Sequence, residues 1–341
     1  MKKNIIAVLL VGVLIWIGTN SNRGVSNTTT GATNVDIEVV RPKEPVTLTF
    51  VGDIMMDRSV RGKVEKYFDN DYRALFENTA YLRDADIAFA NLEGSVATGG
   101  HNVGSRFSFR MNPVSLVALR DAGFDIVSFA NNHVGDYAKA GFEESLTHLK
   151  ENNILYAGAG ENYAAVTTPT IIDVRGMKVG FLATTDVGPN WLKATETAPG
   201  ILLASDPNLA TIVATAKESV DVMVVSFHWG NEYSPANAHQ EKIAHAVIDA
   251  GADIVVGHHP HVMQKVEIYN GKLIFYSLGN FIFDQYFSPH TMHGMIAHVS
   301  IDPETKALTT TQEVSELSKQ YVPQIPIPYD PSMLVTKTFT P

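Results

Sequence analysis

Six times between residues 46 and 280, an apolar run rich in β-branched residues stops at an acid, an amide or an imidazole. "VTLTFVGD" delivers Asp53, and "ADIAFANLEG" delivers Asn91 and Glu93. "GFDIVSFANNH" delivers Asn131, Asn132 and His133, and "VDVMVVSFHWG" delivers His228. "GADIVVGHHPH" ends in His259 and His261, and "GKLIFYSLGNF" in Asn280. Helical patterns lie between these runs. "NPVSLVALRDAG" is stopped by Gly123, "AGFEESLTHLKENN" lines up Phe142, Leu146 and Leu149, and "AHQEKIAHAVIDAG" lines up Ile243, Ala244, Val247 and Ile248. Strand, polar tip, helix and next strand make an α/β layout whose strands are covered on both faces. Such sheets carry their chemistry at the carboxyl ends of the strands.

Later segments read as antiparallel. "TIIDVRGMKVGFLAT" turns at Arg175-Gly176, "VMQKVEIYNGKLIFYS" at Asn270-Gly271, and "GMIAHVSIDPETKALTTTQEV" at Pro303. The proline-rich tail, residues 321–341, is expected to wrap the surface without regular structure. At the other end, two lysines precede an uninterrupted apolar run from Ile5 to Gly18. As a helix that run spans about 21 Å, short of a hydrocarbon core of about 30 Å. Residues 1–18 therefore read as a signal anchor or a cleaved signal peptide, with a buried core helix as the remaining alternative. The lysines stay in the cytoplasm by the positive-inside rule, so the rest of the chain is expected outside the cell, anchored or secreted. Residues 19–45 form a polar Ser/Thr/Asn/Gly tether, and one domain is expected from 46 to 320.

Three of the twelve histidines fall within residues 258–261. In "HHPH", His259 and His261 sit two apart in what reads as an extended loop, so their imidazoles project to one side; His258 is the bystander. Each tip also has a structural reading. Asp53 and Glu93 are good capping residues, Asn132-His133 suits a turn, and His228 can pack beside Trp229. Taken together, one Asp, one Glu, one Asn and several His at the strand ends of one sheet system read as a divalent-cation site. Cysteine is absent, so the ligands must be nitrogen and oxygen, and disulfides are excluded. The net charge of −10 argues against a nucleic-acid partner. An acidic polymer is repelled as well, unless a bound cation reverses the local field.

The stretches "FVGDIMMDR", "ANLEGSV", "SFANNHVGD", "FHWGNEY", "QEKIAHAVIDAGADIVVGHHPHVMQ" and "IFYSLGNFIFD" occur in this order from about residue 46 to 300. In them the chain resembles the CapA capsule-synthesis family, the poly-γ-glutamate synthesis group of the calcineurin-like metallophosphoesterase superfamily. The resemblance implies a four-layer α-β-β-α sandwich with one or two divalent ions (Mn, Fe or Zn) between the strand ends of two sheets. It implies Asp53, Glu93, Asn132, His228, His259 and His261 as metal ligands, Glu93 as the bridging acid, and His133 as a proton donor. Asp136 or Asp84 is then expected to hold the His133 ring. It also implies a membrane-anchored extracellular protein working beside membrane-bound polymer synthase subunits on an anionic polymer or a phosphate-containing substrate. One position departs from the pattern. Met55 stands two residues after Asp53, where many active phosphoesterases keep a histidine, which would leave one subsite short of a nitrogen ligand and puts a full two-metal site in doubt. Two functions follow: a metal-dependent hydrolase, with amide hydrolysis as its neighbouring chemistry, or a non-catalytic subunit that binds metal and polymer.

Overall fold

A computed structural model of the chain describes residues 44–339. The expected anchor or signal segment, and all but the last two residues of the tether, lie outside them. Among the described residues no helix is long and apolar enough to cross a membrane.

The chain begins with β1 (Val46–Ile54) and α1 (Arg58–Tyr67). There follow β2 (Ile87–Leu92), α2 (Ser115–Ala122), β3 (Ile126–Ser128), α3 (Ala138–Glu151) and β4 (Leu155–Ala157). The hairpin β5 (Thr170–Val174) and β6 (Met177–Thr185) leads to α4 (Leu209–Lys217), β7 (Val222–His228), α5 (Ala238–Asp249) and β8 (Ile254–His258). The last third holds β9 (Val266–Tyr269), β10 (Lys272–Phe275), β11 (Asn280–Ile282), β12 (His293–Ile301), β13 (Leu308–Glu316) and the short β14 (Ile327–Pro328).

Two sheets result. The first runs β14-β13-β12-β1-β2-β3-β4, with β11 added beside the end of β1; the second runs β9-β10-β8-β7-β6-β5. They pack face to face, with Phe89 of β2 stacked on Phe181 of β6 at 5.7 Å between ring centres. Alternation along β7 sorts the layers. Val222 and Val224 join the core between the sheets, whereas Met223, Val225 and Phe227 pack with Val213 of α4 and Val247 of α5. Because both faces are covered, these strands read as nearly continuous apolar runs. The result is the four-layer α-β-β-α sandwich.

Local sequence explains several boundaries. Gly123 closes α2 at φ 103°, a left-handed conformation in which a side chain is strained. Asn237 caps α5, its side chain accepting from the Gln240 N–H while Gln240 caps Asn237 in return. Arg175-Gly176 and Asn270-Gly271 both take positive φ, joining Val174 to Met177 and Tyr269 to Lys272 in two-residue hairpins. The third hairpin turns through residues 302–307, where Asp302 Oδ1 accepts from the N–H groups of Glu304 and Thr305.

Two expectations are corrected. "GKLIFYSLGNF" is two strands in different sheets: β10 pairs with β8, the chain crosses the sandwich at residues 276–279, and β11 pairs with β1. The tail is also more ordered than expected. It contains β14 and a 3₁₀ turn at Pro331–Met333, and Val335 is buried.

Candidate metal centre

Parallel pairing brings the strand tips level. In the first sheet Asp53 is in register with Asn91 of β2 and with Asn280 of β11. In the second, His228 of β7 is in register with His258 of β8. Glycines permit the close approaches: a Cβ on Gly52 would lie 2.0 Å from the Gly279 carbonyl oxygen, and one on Gly257 would lie 1.9 Å from that of Tyr276. The sheets thus present their carboxyl ends to one another.

Asp53, Glu93, His228 and His261 are all buried. His261 Nδ1 lies 3.5 Å from Asp53 Oδ2, and His261 Nε2 lies 3.7 Å from Glu93 Oε1. His228 Nε2 is 2.8 Å from Asn132 Oδ1, and the His228 ring centre is 4.8 Å from that of His259. Asp53, Glu93 and His261 form one group whose ligand atoms lie within 4.8 Å of one another, and Glu232, His259 and His261 form a second. Ligand atoms at about 2.1 Å from one ion stand about 3.0–3.4 Å apart, so these donors, at 3.5 and 3.7 Å, would draw in slightly around an ion. His133 lies at the edge. Its Nδ1 is 2.7 Å from Asp136 Oδ2, its Nε2 is 3.9 Å from Glu93 Oε1, and its ring packs on Phe109 at 3.9 Å.

Asn91 organises the acids. Its side-chain N–H₂ donates to Asp53 Oδ1 at 2.8 Å and to Glu93 Oε2 at 3.3 Å, while Asn131 donates to its oxygen at 3.1 Å. The His259 backbone N–H donates to Asp53 Oδ2 at 3.2 Å. Asn280 Oδ1 is 2.9 Å from His261 Nδ1 and can accept its proton, which leaves Nε2 free toward Glu93. Among the buried side-chain atoms left without a hydrogen-bond partner are Glu93 Oε1 and His259 Nδ1, and both ring nitrogens of His258. An unpaired buried acceptor is costly, and Glu93 and His259 belong to the two ligand groups.

Burial dominates the electrostatics. It holds His228, His259 and His261 below the ordinary imidazole range, with neighbouring histidines adding to the effect at His228; His259 is lowered to about 3. All three are therefore neutral at pH 7, the form in which imidazole binds a metal. Burial, together with the nearby charges of Asp53, Glu232 and Asp136, raises Glu93 well above the usual carboxylate range. At Asp53 burial works upward, but His258, His261 and Asn91 outweigh it and the net direction is down.

All seven residues singled out in the sequence come to this one region, although the histidine loop is built differently from expectation. It is not extended: His259 has φ 96° and His261 φ 57°, left-handed values that are strained for a residue with a side chain. Asp136, not Asp84, holds the His133 ring; Asp84 lines a separate cleft with Tyr81 and His298. His258 is buried with its Nδ1 3.2 Å from Asp53 Oδ1, so it supports the acid from behind. Met55 is fully buried, its sulfur accepting from the Asp57 N–H at 3.2 Å, and it adds no nitrogen. Sequence reasoning missed Glu232 and the roles of Asn91 and Asn280. The two asparagines were visible as strand tips. Glu232 follows Gly230 in a polar loop and has no such signal.

The fold is an α-β-β-α sandwich of the metallophosphoesterase type. The Haemophilus influenzae NAD nucleotidase (NadN) structure superposes over 82% of this chain and 60% of its own, with a TM-score of 0.50 and 12% identity, a likeness of fold alone. The family model "Bacterial capsule synthesis protein PGA_cap" matches residues 47–285, and the chain belongs to that family. It is 37% identical over 255 residues to the capsule biosynthesis protein CapA of Bacillus anthracis, covering 72% of this chain and 61% of that protein. It is 36% identical over 241 residues to the PGA biosynthesis protein CapA of Bacillus subtilis, covering 70% and 63%. The match thus spans less than two thirds of either relative.

Proposed function

We propose that this chain is a divalent-metal-dependent hydrolase of the phosphoesterase type that acts outside the cell in the making of a capsule polymer, poly-γ-glutamate. Residues 1–18 would hold it at the membrane beside the polymer synthase. One observation carries the reading: Asp53, Glu93 and His261 converge from different strands on a common point, and Glu93 Oε1 has no other partner there. The donor set fits an N/O-preferring ion such as Mn, Fe or Zn. Asp53 and His261 would hold one ion and Asn132, His228 and His259 another, with Glu93 reaching both.

A bound divalent ion supplies Lewis acidity toward a phosphoryl or carbonyl oxygen. The chain's own residues do the rest. Asp136 accepts the Nδ1 proton of His133 and fixes the ring, so that Nε2 faces the centre. With a second proton on Nε2, in the imidazolium form that the Asp136 carboxylate would stabilise, it could hand that proton to a leaving oxygen and return to the neutral ring. Asn91 donates to both acids and ties them together, and Asn280 fixes the tautomer of His261.

A second reading has one specific observation in its favour. Met55 takes the place of a nitrogen ligand, which suits a single-ion centre that binds polymer for a synthase without turning it over. The two readings part on one measurement. The purified protein is analysed for bound metal, then assayed with phosphomonoester and phosphodiester substrates in manganese. Two ions per chain and turnover that disappears in His133→Ala support the hydrolase. One ion or none, with activity no higher than that variant, supports the binding subunit.

A further inference from the structure

Two arginines beside the centre have no part in it. Arg58 opens α1 with φ 51°, a left-handed backbone for a long side chain. Buried Asp284 pins it: Asp284 Oδ2 accepts from the Ser59 N–H at 3.2 Å and lies 3.1 Å from Arg58 Nε. Strain of this kind persists where the surroundings over-determine it, and it gathers at working sites. The other guanidinium nitrogens of Arg58, Nη1 and Nη2, have no protein acceptor among the described residues. Arg106, in an exposed loop, makes no hydrogen bond or ion pair among them. By contrast Arg61, Arg73, Arg120 and Arg175 each pair with an aspartate.

Aromatic rings link these two cations to the centre. The Arg58 guanidinium lies 5.2 Å from the ring centre of Phe109, the ring that packs on His133. It lies 5.4 Å from the half-exposed ring of Phe107, and Arg106 lies 5.2 Å from the same ring. Each guanidinium thus has one face shielded by an aromatic ring and its N–H fork open. In a chain of net charge −10, the Arg58 fork stands one ring away from His133, and Arg106 shares the Phe107 ring with Arg58.

We infer that Arg58 and Arg106, with Phe107 between them, form a shelf that selects an anionic chain and holds its carboxylates next to the His133 end of the centre. A planar fork matches a carboxylate through two parallel hydrogen bonds, which a lysine does not do. Two forks around one ring suit repeated charges along a polymer. The choice of a polyglutamyl chain as occupant rests on the function proposed above.

The test is binding, not turnover. Full-length protein loaded with manganese is titrated with fluorescently labelled poly-γ-glutamate at low salt and followed by polarisation. Arg106→Gln is expected to weaken binding several-fold, and the Arg58→Gln/Arg106→Gln pair by about tenfold or more, with a shallower dependence on salt. Arg58→Lys, which keeps the charge and loses the fork, is expected between wild type and Arg58→Gln. Arg106 makes no hydrogen bond or ion pair among the described residues, so its variant reports even if Arg58→Gln fails to fold. Equal affinity of Arg106→Gln and wild type overturns the shelf. Polyphosphate of matched charge binding more tightly, with the same sensitivity to the two variants, overturns the assignment to carboxylates. If arginine-dependent binding persists in a protein without turnover, the hydrolase reading fails and the shelf stands.

Discussion

His133 stands between two carboxylates that treat it differently. Asp136 is at hydrogen-bond distance on the Nδ1 side, while Glu93 is 3.9 Å from Nε2 and out of contact. That geometry suits a group that would move protons and not grip an ion, the role proposed for it above. His133→Ala is therefore expected to lower kcat by about 10²–10⁴-fold while bound metal, measured by elemental analysis, stays as in wild type. Loss of metal in parallel with activity would make the residue a ligand. Met55 offers the opposite experiment. It is fully buried directly after β1, two residues from Asp53, and its sulfur accepts from the Asp57 N–H. Met55→His adds a nitrogen where the centre is poorest in them. The expected outcome is a higher metal content per chain and a slower loss of metal to a chelator. An unchanged content would mean that the first subsite is complete without it.

At the scale of elements, α3 is tied to the loop that carries Arg106 and Phe107. Glu144 of α3 accepts from the Thr98 N–H at 2.8 Å, the Thr98 hydroxyl at 2.7 Å and the Gly99 N–H at 2.9 Å. What little burial it has pushes its pKa up, but these donors and His148 outweigh it and hold the carboxyl at about 2, below its ordinary 4.5. A lowered folded-state pKa contributes stability that is present above the unfolded value and is lost as pH falls through the folded one. The gap in Tm between wild type and Glu144→Gln is therefore expected to be full near neutral pH and to close between about pH 4.5 and pH 2. A gap independent of pH would remove the carboxylate from this role. Gly257 ties β8 to the chain beside it, and a Cβ there would lie 1.9 Å from the Tyr276 oxygen. Gly257→Ala is expected to cost about 3 kcal/mol or more in denaturant titration. Strand tips and hairpins were legible because each has a local signature: an apolar run with a polar stop, or Asn-Gly and Arg-Gly at a two-residue turn. The left-handed His259 and His261 were not, since that conformation is imposed by Asp53 and Asn280 from other parts of the chain.

For the whole molecule, the layers followed from apolar patterning, but the partition of strands between two sheets did not. Nothing in "LIFYSLGNF" marks the point where the chain leaves one sheet for the other, because every residue there is buried either way. The site was legible for the same reason that the crossing was hidden: polar residues at the ends of buried strands stand out, and apolar residues inside them do not. Glu232, in an exposed loop, stood out in neither way. The membership of the site has an energetic consequence for the protein as a whole. Manganese at about one hundred times its dissociation constant is expected to add about 2.7 kcal/mol to folding and raise Tm by roughly 5 °C, reversed by chelation. An unchanged Tm would mean that the acids and imidazoles do not share an ion. Asp53, Asn91, Glu93 and Asn132 belong to the first sheet and the strands and loops beside it, whereas His228, His259 and His261 come from the second. A cation held among them is a rivet through two plates. Its grip depends on the gap between the plates, so substitutions deep in the sandwich, such as at Phe89 or Phe181, would retune the centre from a distance without touching a single ligand.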